Sequence, residues 1–117
     1  MPSESLAIPL YDVLHHIDLA TQFAAGYDYA RFRDDDKTIY AVTRCLEIIS
    51  EASRRLPVEM KSRHPSIAWR DMAGAGNVYR HDYEEVVARH VWKTLTHDLP
   101  PLRLVVIEEL RRLGEDK

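Results

Sequence analysis

Apolar residues recur along this chain at steps of three and four, and no stretch alternates with a period of two. That pattern restricts the chain to helices, each burying one stripe. Leu10, Leu14, Ile17, Thr21 and Ala24 form the first stripe, and Gly26 is expected to end that helix. "YDYARFRDD" reads as a loop leading to Asp36, the expected N-cap of the longest helix. Ile39, Val42, Leu46, Ile49 and Leu56 would be its buried stripe, with Pro57 as its stop or the start of a short turn. A third helix opens in "HPSIAWRDM", with Ser66 as its cap and Trp69, Met72 and Ala73 as core. A fourth opens in "HDLPPL", capped by Asp98, with Pro100 and Pro101 in its first turn. Its apolar face is Leu99, Leu102, Val106, Leu110 and Leu113. The expected fold is all-α, an up-and-down bundle of four to five helices, in a single domain over residues 1–117 with its core at about 8–112.

Composition narrows the function. At 45% hydrophobic and 30% charged, the 117 residues suit a soluble globule with a core of its own. The single cysteine, Cys45, can form no internal disulfide and reads as a packed thiol in a reducing compartment. "LVVI" is the longest apolar run, far short of a membrane span, and no signal peptide is evident. A cytoplasmic protein is expected. Its net charge of −3 argues against a broad nucleic-acid coat and leaves room for a local phosphate site.

The chemistry concentrates in "GNVYRHDYEEV" (76–86), which follows Gly74 and contains no helix stop. On a helix, Asn77 and His81 stack four apart, while Gly76, Arg80 and Tyr83 share a side, as do Tyr79 and Tyr83. An imidazole with an unperturbed pKa of about 6.5 can exchange a proton near neutrality. A guanidinium suits a phosphate and keeps its charge. Together they could cleave RNA without a metal, His81 taking the ribose 2′-OH proton and Arg80 steadying the phosphorane. A symmetric dimer would supply a second His81 as leaving-group acid. The same residues would also suit a solvated helix face, so composition alone leaves both readings open.

Other clusters carry less. Asp12 and His16 have the spacing of a metal pair, but two ligands do not close a site and the opposite apolar stripe accounts for the helix. No metal or cofactor is expected. His64 reads as a loop residue, and His90 and His97 as surface or capping residues. Arg44, Glu47 and Glu51 mark a polar helix side with an Arg44–Glu47 pair. Trp69 and Trp92 read as core or interface anchors rather than base-stacking platforms.

"GNVYRHDY", preceded by "HPSIAWRDMAG" and followed by "VWKTLTHDLPPL", resembles the HepT-like branch of the HEPN superfamily. "AVTRCLEIISEASRRLP" resembles the second helix of that family, and the likeness runs over roughly residues 8 to 112. The resemblance implies a small all-helical ribonuclease toxin of a type VII toxin–antitoxin system, a homodimer with an RNA-cleaving groove at its interface. It implies that His81 is catalytic, that Asn77 and Tyr83 position substrate, and that the long helix flanks the groove. It further implies an MNT-type nucleotidyltransferase antitoxin as partner, silencing the toxin by transferring AMP to Tyr83. An anionic adduct two residues from His81 would repel an RNA phosphate. The chain departs from the family motif where an arginine usually precedes the asparagine, for Gly76 stands there. Arg70 lies too far back by motif spacing. Arg80 emerges one turn along, a rise of roughly 6 Å that a guanidinium side chain can cover. The sequence thus leaves a nuclease with a relocated arginine beside a silent helical module that binds a nucleotidyltransferase or a nucleotide.

Overall fold

The structure is a computed structural model that describes the backbone of residues 2–74 and 84–114 and the side chains of 6–74 and 86–114. The described residues form only helices and their connections: α1 (Pro2–Phe23), α2 (Tyr29–Arg33), α3 (Asp36–Arg54), α4 (Val58–Ser62), α5 (Trp69–Gly74), α6 (Glu84–Lys93), a π-helical turn (Thr94–Asp98) and α7 (Leu99–Arg112). The all-α bundle expected from the periodicity is what the chain forms.

Helix α1 runs the length of α3 and also packs on α7. Its buried stripe is Leu10, Val13, Ile17 and Ala20, continued by Ala24 in the turn beyond the helix. Thr21, expected on that stripe, faces outward and folds its hydroxyl back onto the Ile17 carbonyl at 2.8 Å. At 22 residues α1 exceeds the 19 of α3, which reverses the expected order of length, because the helix continues through Pro9. Gly26, at φ +81°, turns the chain after it, a backbone conformation that side chains disfavour.

The stretch expected as a loop holds α2. Asp28 accepts the Arg31 amide at 2.9 Å and so caps it, while Phe32 is fully buried against Trp92, with ring centroids 5.1 Å apart. Asp35, not Asp36, caps α3, accepting the Thr38 amide at 3.1 Å. Its carboxylate also receives the Tyr27 hydroxyl at 2.6 Å and the Thr38 hydroxyl at 2.8 Å. Hydrogen bonds from Tyr27 and Thr38 hold it below the usual aspartate range. Along α3, Ile39, Val42, Leu46 and Ile49 are buried as expected, with Cys45 among them. Burial pushes the Cys45 thiol up, which keeps it protonated and inert. Leu56 is buried beyond the helix end, and Pro57 leads into α4.

Asp98 does not cap the last helix. Its side chain makes no capping bond and its backbone is helical, so α6, the π turn and α7 form one interrupted helix. The Leu99 amide reaches back five residues to the Thr94 carbonyl. Pro100 and Pro101 supply the reason. Neither has an N–H for the turn before it, and each ring would crowd the carbonyl four residues back, so that turn widens.

Candidate active site

The sequence-derived site residues, Gly76, Asn77, Tyr79, Arg80, His81 and Tyr83, lie outside the described residues, so their geometry adds nothing to what the sequence gives. The structure does describe what leads into and out of that segment. Helix α5 ends at Gly74, and α6 begins at Glu84.

The end of α5 is fastened to α3. The Ala73 carbonyl accepts the Ser50 hydroxyl at 2.5 Å and the Arg54 guanidinium at 2.6 Å. Arg54 also donates to Ser50 Oγ at 3.2 Å and pairs with Glu51 at 3.3 Å. A helix leaves its last carbonyls without internal partners; here a buried serine and an arginine from another helix supply them. The start of α5 is held as well, its Trp69 indole donating to the Lys61 and His64 carbonyls at 3.1 and 3.0 Å.

A cleft of about 510 Å³ opens between α5 and the interrupted helix. Ser66, Ile67, Ala68, Arg70, Asp71, Met72 and Gly74 form one wall. His90, Lys93, Thr94, Asp98 and Pro101 form the other, so the widened π turn faces the cleft. Ile67, Met72 and Thr94 are buried, while Arg70 and Lys93 are exposed. Sequence reasoning set Arg70 aside on motif spacing and passed over Lys93. Since the walls come from segments some twenty residues apart, no local spacing could have joined them.

A second polar cluster lies around Glu109, on α7. Arg63 holds its carboxylate at 2.7 and 3.2 Å, and His64 Nε2 meets it at 2.6 Å. Glu109 is 1% exposed. Burial pushes its pKa up, yet the hydrogen bonds from Arg63 and His64 outweigh that, and the net shift is downward. His64 lies in the connection between α4 and α5, as expected of a loop residue, and its imidazole completes the clamp on the buried Glu109. His64, Glu108 and Glu109 present ligand atoms within 4.8 Å of one another. Arg63 and Arg112, with Nε 3.6 Å from Glu109, already occupy that charge and leave a cation little to neutralise. A signal was present: Glu109 lies three residues after buried Val106 and seven after Leu102, squarely on the apolar stripe.

The Asp12–His16 spacing does not converge. His16 Nδ1 lies 2.8 Å from the Asp12 carbonyl oxygen, and the Asp12 carboxylate pairs with Arg55 at 3.1 Å. Arg44 and Glu47 pair at 3.2 Å on the exposed side of α3, as read from spacing. Trp92 packs on Tyr29 and Phe32, and Trp69 is half-buried against the core. Among the described residues, no helix is long and apolar enough to cross a membrane.

Comparison with known proteins gives these elements a common context. The sequence signature of the family described as "Ribonuclease HepT-like" matches residues 13–109. The "Probable ribonuclease HepT" of Thermococcus cleftensis is 40% identical over 94 residues, covering 80% of this chain and 86% of its own. "Putative RNase MJ0125" of Methanocaldococcus jannaschii is 32% identical over 103 residues, 88% of this chain and 89% of its own. "Putative RNase TTE0752" of Caldanaerobacter subterraneus is 30% identical over 103 residues, 88% and 92% of the two chains. No solved structure matches the chain. The signature spans most of the helical bundle, from the middle of α1 to the buried Glu109, with the Asn77–Tyr83 segment inside it, and the chain belongs to the HepT-like ribonuclease family.

Proposed function

We propose that this chain is a metal-independent endoribonuclease, the toxin of a type VII toxin–antitoxin pair. The observation that carries the reading is the family membership with "N-V-Y-R-H-D-Y" inside the matched region. His81 accepts the proton of a ribose 2′-OH as that oxygen attacks the adjacent phosphorus. Arg80 offsets the charge on the phosphorane oxygens, in place of the arginine that Gly76 lacks. The 5′-oxygen then leaves with a proton from the second His81 of a homodimer, giving a 2′,3′-cyclic phosphate and a free 5′-OH. Asn77 and Tyr83 position the substrate. The fastening of Ala73 by Ser50 and Arg54 supports this reading, since a reaction of this kind needs its segment launched from a fixed point.

Silencing would come from an MNT-type nucleotidyltransferase. The Tyr83 hydroxyl attacks the α-phosphorus of ATP, pyrophosphate leaves, and the bound AMP blocks the groove by bulk and charge. The test is RNA cleavage in EDTA by purified protein beside its His81→Ala twin. Loss of cleavage with unchanged melting is expected; equal cleavage by the twin refutes the assignment. Arg80→Ala should cut at least about a hundred-fold more slowly, and full activity in that variant would move the cation's role elsewhere. One observation favours a second reading: Gly76 stands where the motif arginine belongs. A silent module that docks a nucleotidyltransferase or a nucleotide would leave RNA intact in both proteins.

A further inference from the structure

The cleft between α5 and the interrupted helix has the size of a small-ligand pocket, about 510 Å³. Its composition is selective. Arg70 forms no ion pair with any described residue. Among the described residues, Lys93 on the facing wall pairs with Asp98 at a loose 3.9 Å. An exposed pair at that distance is worth little and yields readily to a stronger anion. Cations on both walls thus remain available to an anionic group.

Ile67, Met72 and Pro101 give the cleft apolar lining, and Ser66 and Thr94 also line it. Asp71 and Asp98 add acceptors. A flat ring with exocyclic amino groups, carried on a phosphodiester, satisfies every part of this lining at once. The ring covers the apolar surface, its amino groups donate to a carboxylate, and its phosphates take the cations. The π turn contributes as well, for π turns within α-helices recur at functional sites, and this one places Thr94 and Asp98 in the wall.

We infer that this cleft is a nucleotide subsite for single-stranded RNA, with Arg70 and Lys93 holding a phosphate and Ile67, Met72 and Pro101 seating a base. The choice of RNA rests on the nuclease reading. Gly74 belongs to the cleft wall and lies three residues before Asn77, a chain reach of about 10 Å. A nucleotide held here flanks the bond to be cut and does not itself react.

The probe is a fluorescent single-stranded oligoribonucleotide of mixed sequence, titrated into the His81→Ala protein so that binding is read without cleavage. Arg70→Ala and Lys93→Ala, added singly to that background, should each weaken binding about ten-fold. Each should also lower the dependence of log affinity on log salt by about 0.7. Lys37→Ala, an exposed charge on α3 away from the cleft, should leave binding unchanged. Replacing one guanosine by 6-thioguanosine, which keeps its 2-amino group, and irradiating should attach the oligomer to peptides containing Met72 or Pro101. Unchanged affinity in both cleft variants, or crosslinks wholly outside the cleft, overturns the inference. In the protein that retains His81, the cleft variants should raise KM and leave kcat within about three-fold, the mark of lost uniform binding. Absence of any cleavage would refute the nuclease reading alone, because the affinity titration would still report on the cleft.

Discussion

At the scale of single residues, the hardest electrostatic demand falls on Glu109. Its carboxylate is 1% exposed and depends on Arg63 and His64 for the interactions water would otherwise supply. A buried charge that loses its partner costs more than the pair contributes while intact. Arg63→Ala should therefore leave the Glu109 carboxylate to His64 and the more distant Arg112 and destabilise the fold. Glu109→Gln, which removes the charge, keeps the volume and retains one of the two accepting oxygens, should cost clearly less. Urea denaturation of the two variants at neutral pH reads the order, and the reverse order would show that the carboxylate rehydrates freely. The sign with pH follows from the downward shift. Glu109 binds protons less readily folded than unfolded, so its contribution is present above the unfolded pKa and is lost as pH falls through the lower folded value. Wild-type stability should fall with acidification below the ordinary glutamate range, and Glu109→Gln should flatten that part of the curve.

At the scale of elements, α2 and the π turn show where local reading stops. A helix of five residues is too short to display a period, yet α2 is held by Phe32, which is buried against Trp92 sixty residues away. Phe32→Ala should cost about 4 kcal/mol by removing that contact and leaving a cavity. A drop in melting temperature of roughly 15 °C is the expected reading, and a shift of a degree or two would mean that α2 is an ornament. The long stripes of α1, α3 and α7 were legible because burial repeats over several turns and averages out single exceptions such as Thr21. The Asp98 cap was misread for a physical reason. Aspartate before two prolines is a common helix start, but here the preceding helix runs on and absorbs the prolines by widening. The residue types of 76–86 can be read from the sequence, and their roles are proposed from it alone. The cleft and the Ser50–Arg54 clamp were not legible there, since each joins residues from different helices. Polar serines on the buried face of α3 were the one available hint of the clamp.

At the scale of the molecule, the proposed reaction asks for one more histidine than one chain's motif supplies. If two His81 residues face each other across a homodimer, base and acid come from different chains, and neither works alone. A net charge of −3 on each chain opposes dimerisation only weakly, because charges beyond about 8 Å are screened at physiological salt. The decisive protein is a mixed dimer, one wild-type chain and one carrying His81→Ala, isolated through two different affinity tags. A composite site loses its acid or its base in every copy, and either loss lowers the rate by at least about a hundred-fold. Independent sites would instead leave half the activity, since each intact chain would cut unaided. Half activity in the mixed dimer would place the leaving-group acid within a single chain and remove the need for symmetry in the mechanism. Near-complete loss, with the mixed dimer still binding the labelled oligoribonucleotide, would tie catalysis to the pairing of two chains and leave the nucleotide subsite as a property of each.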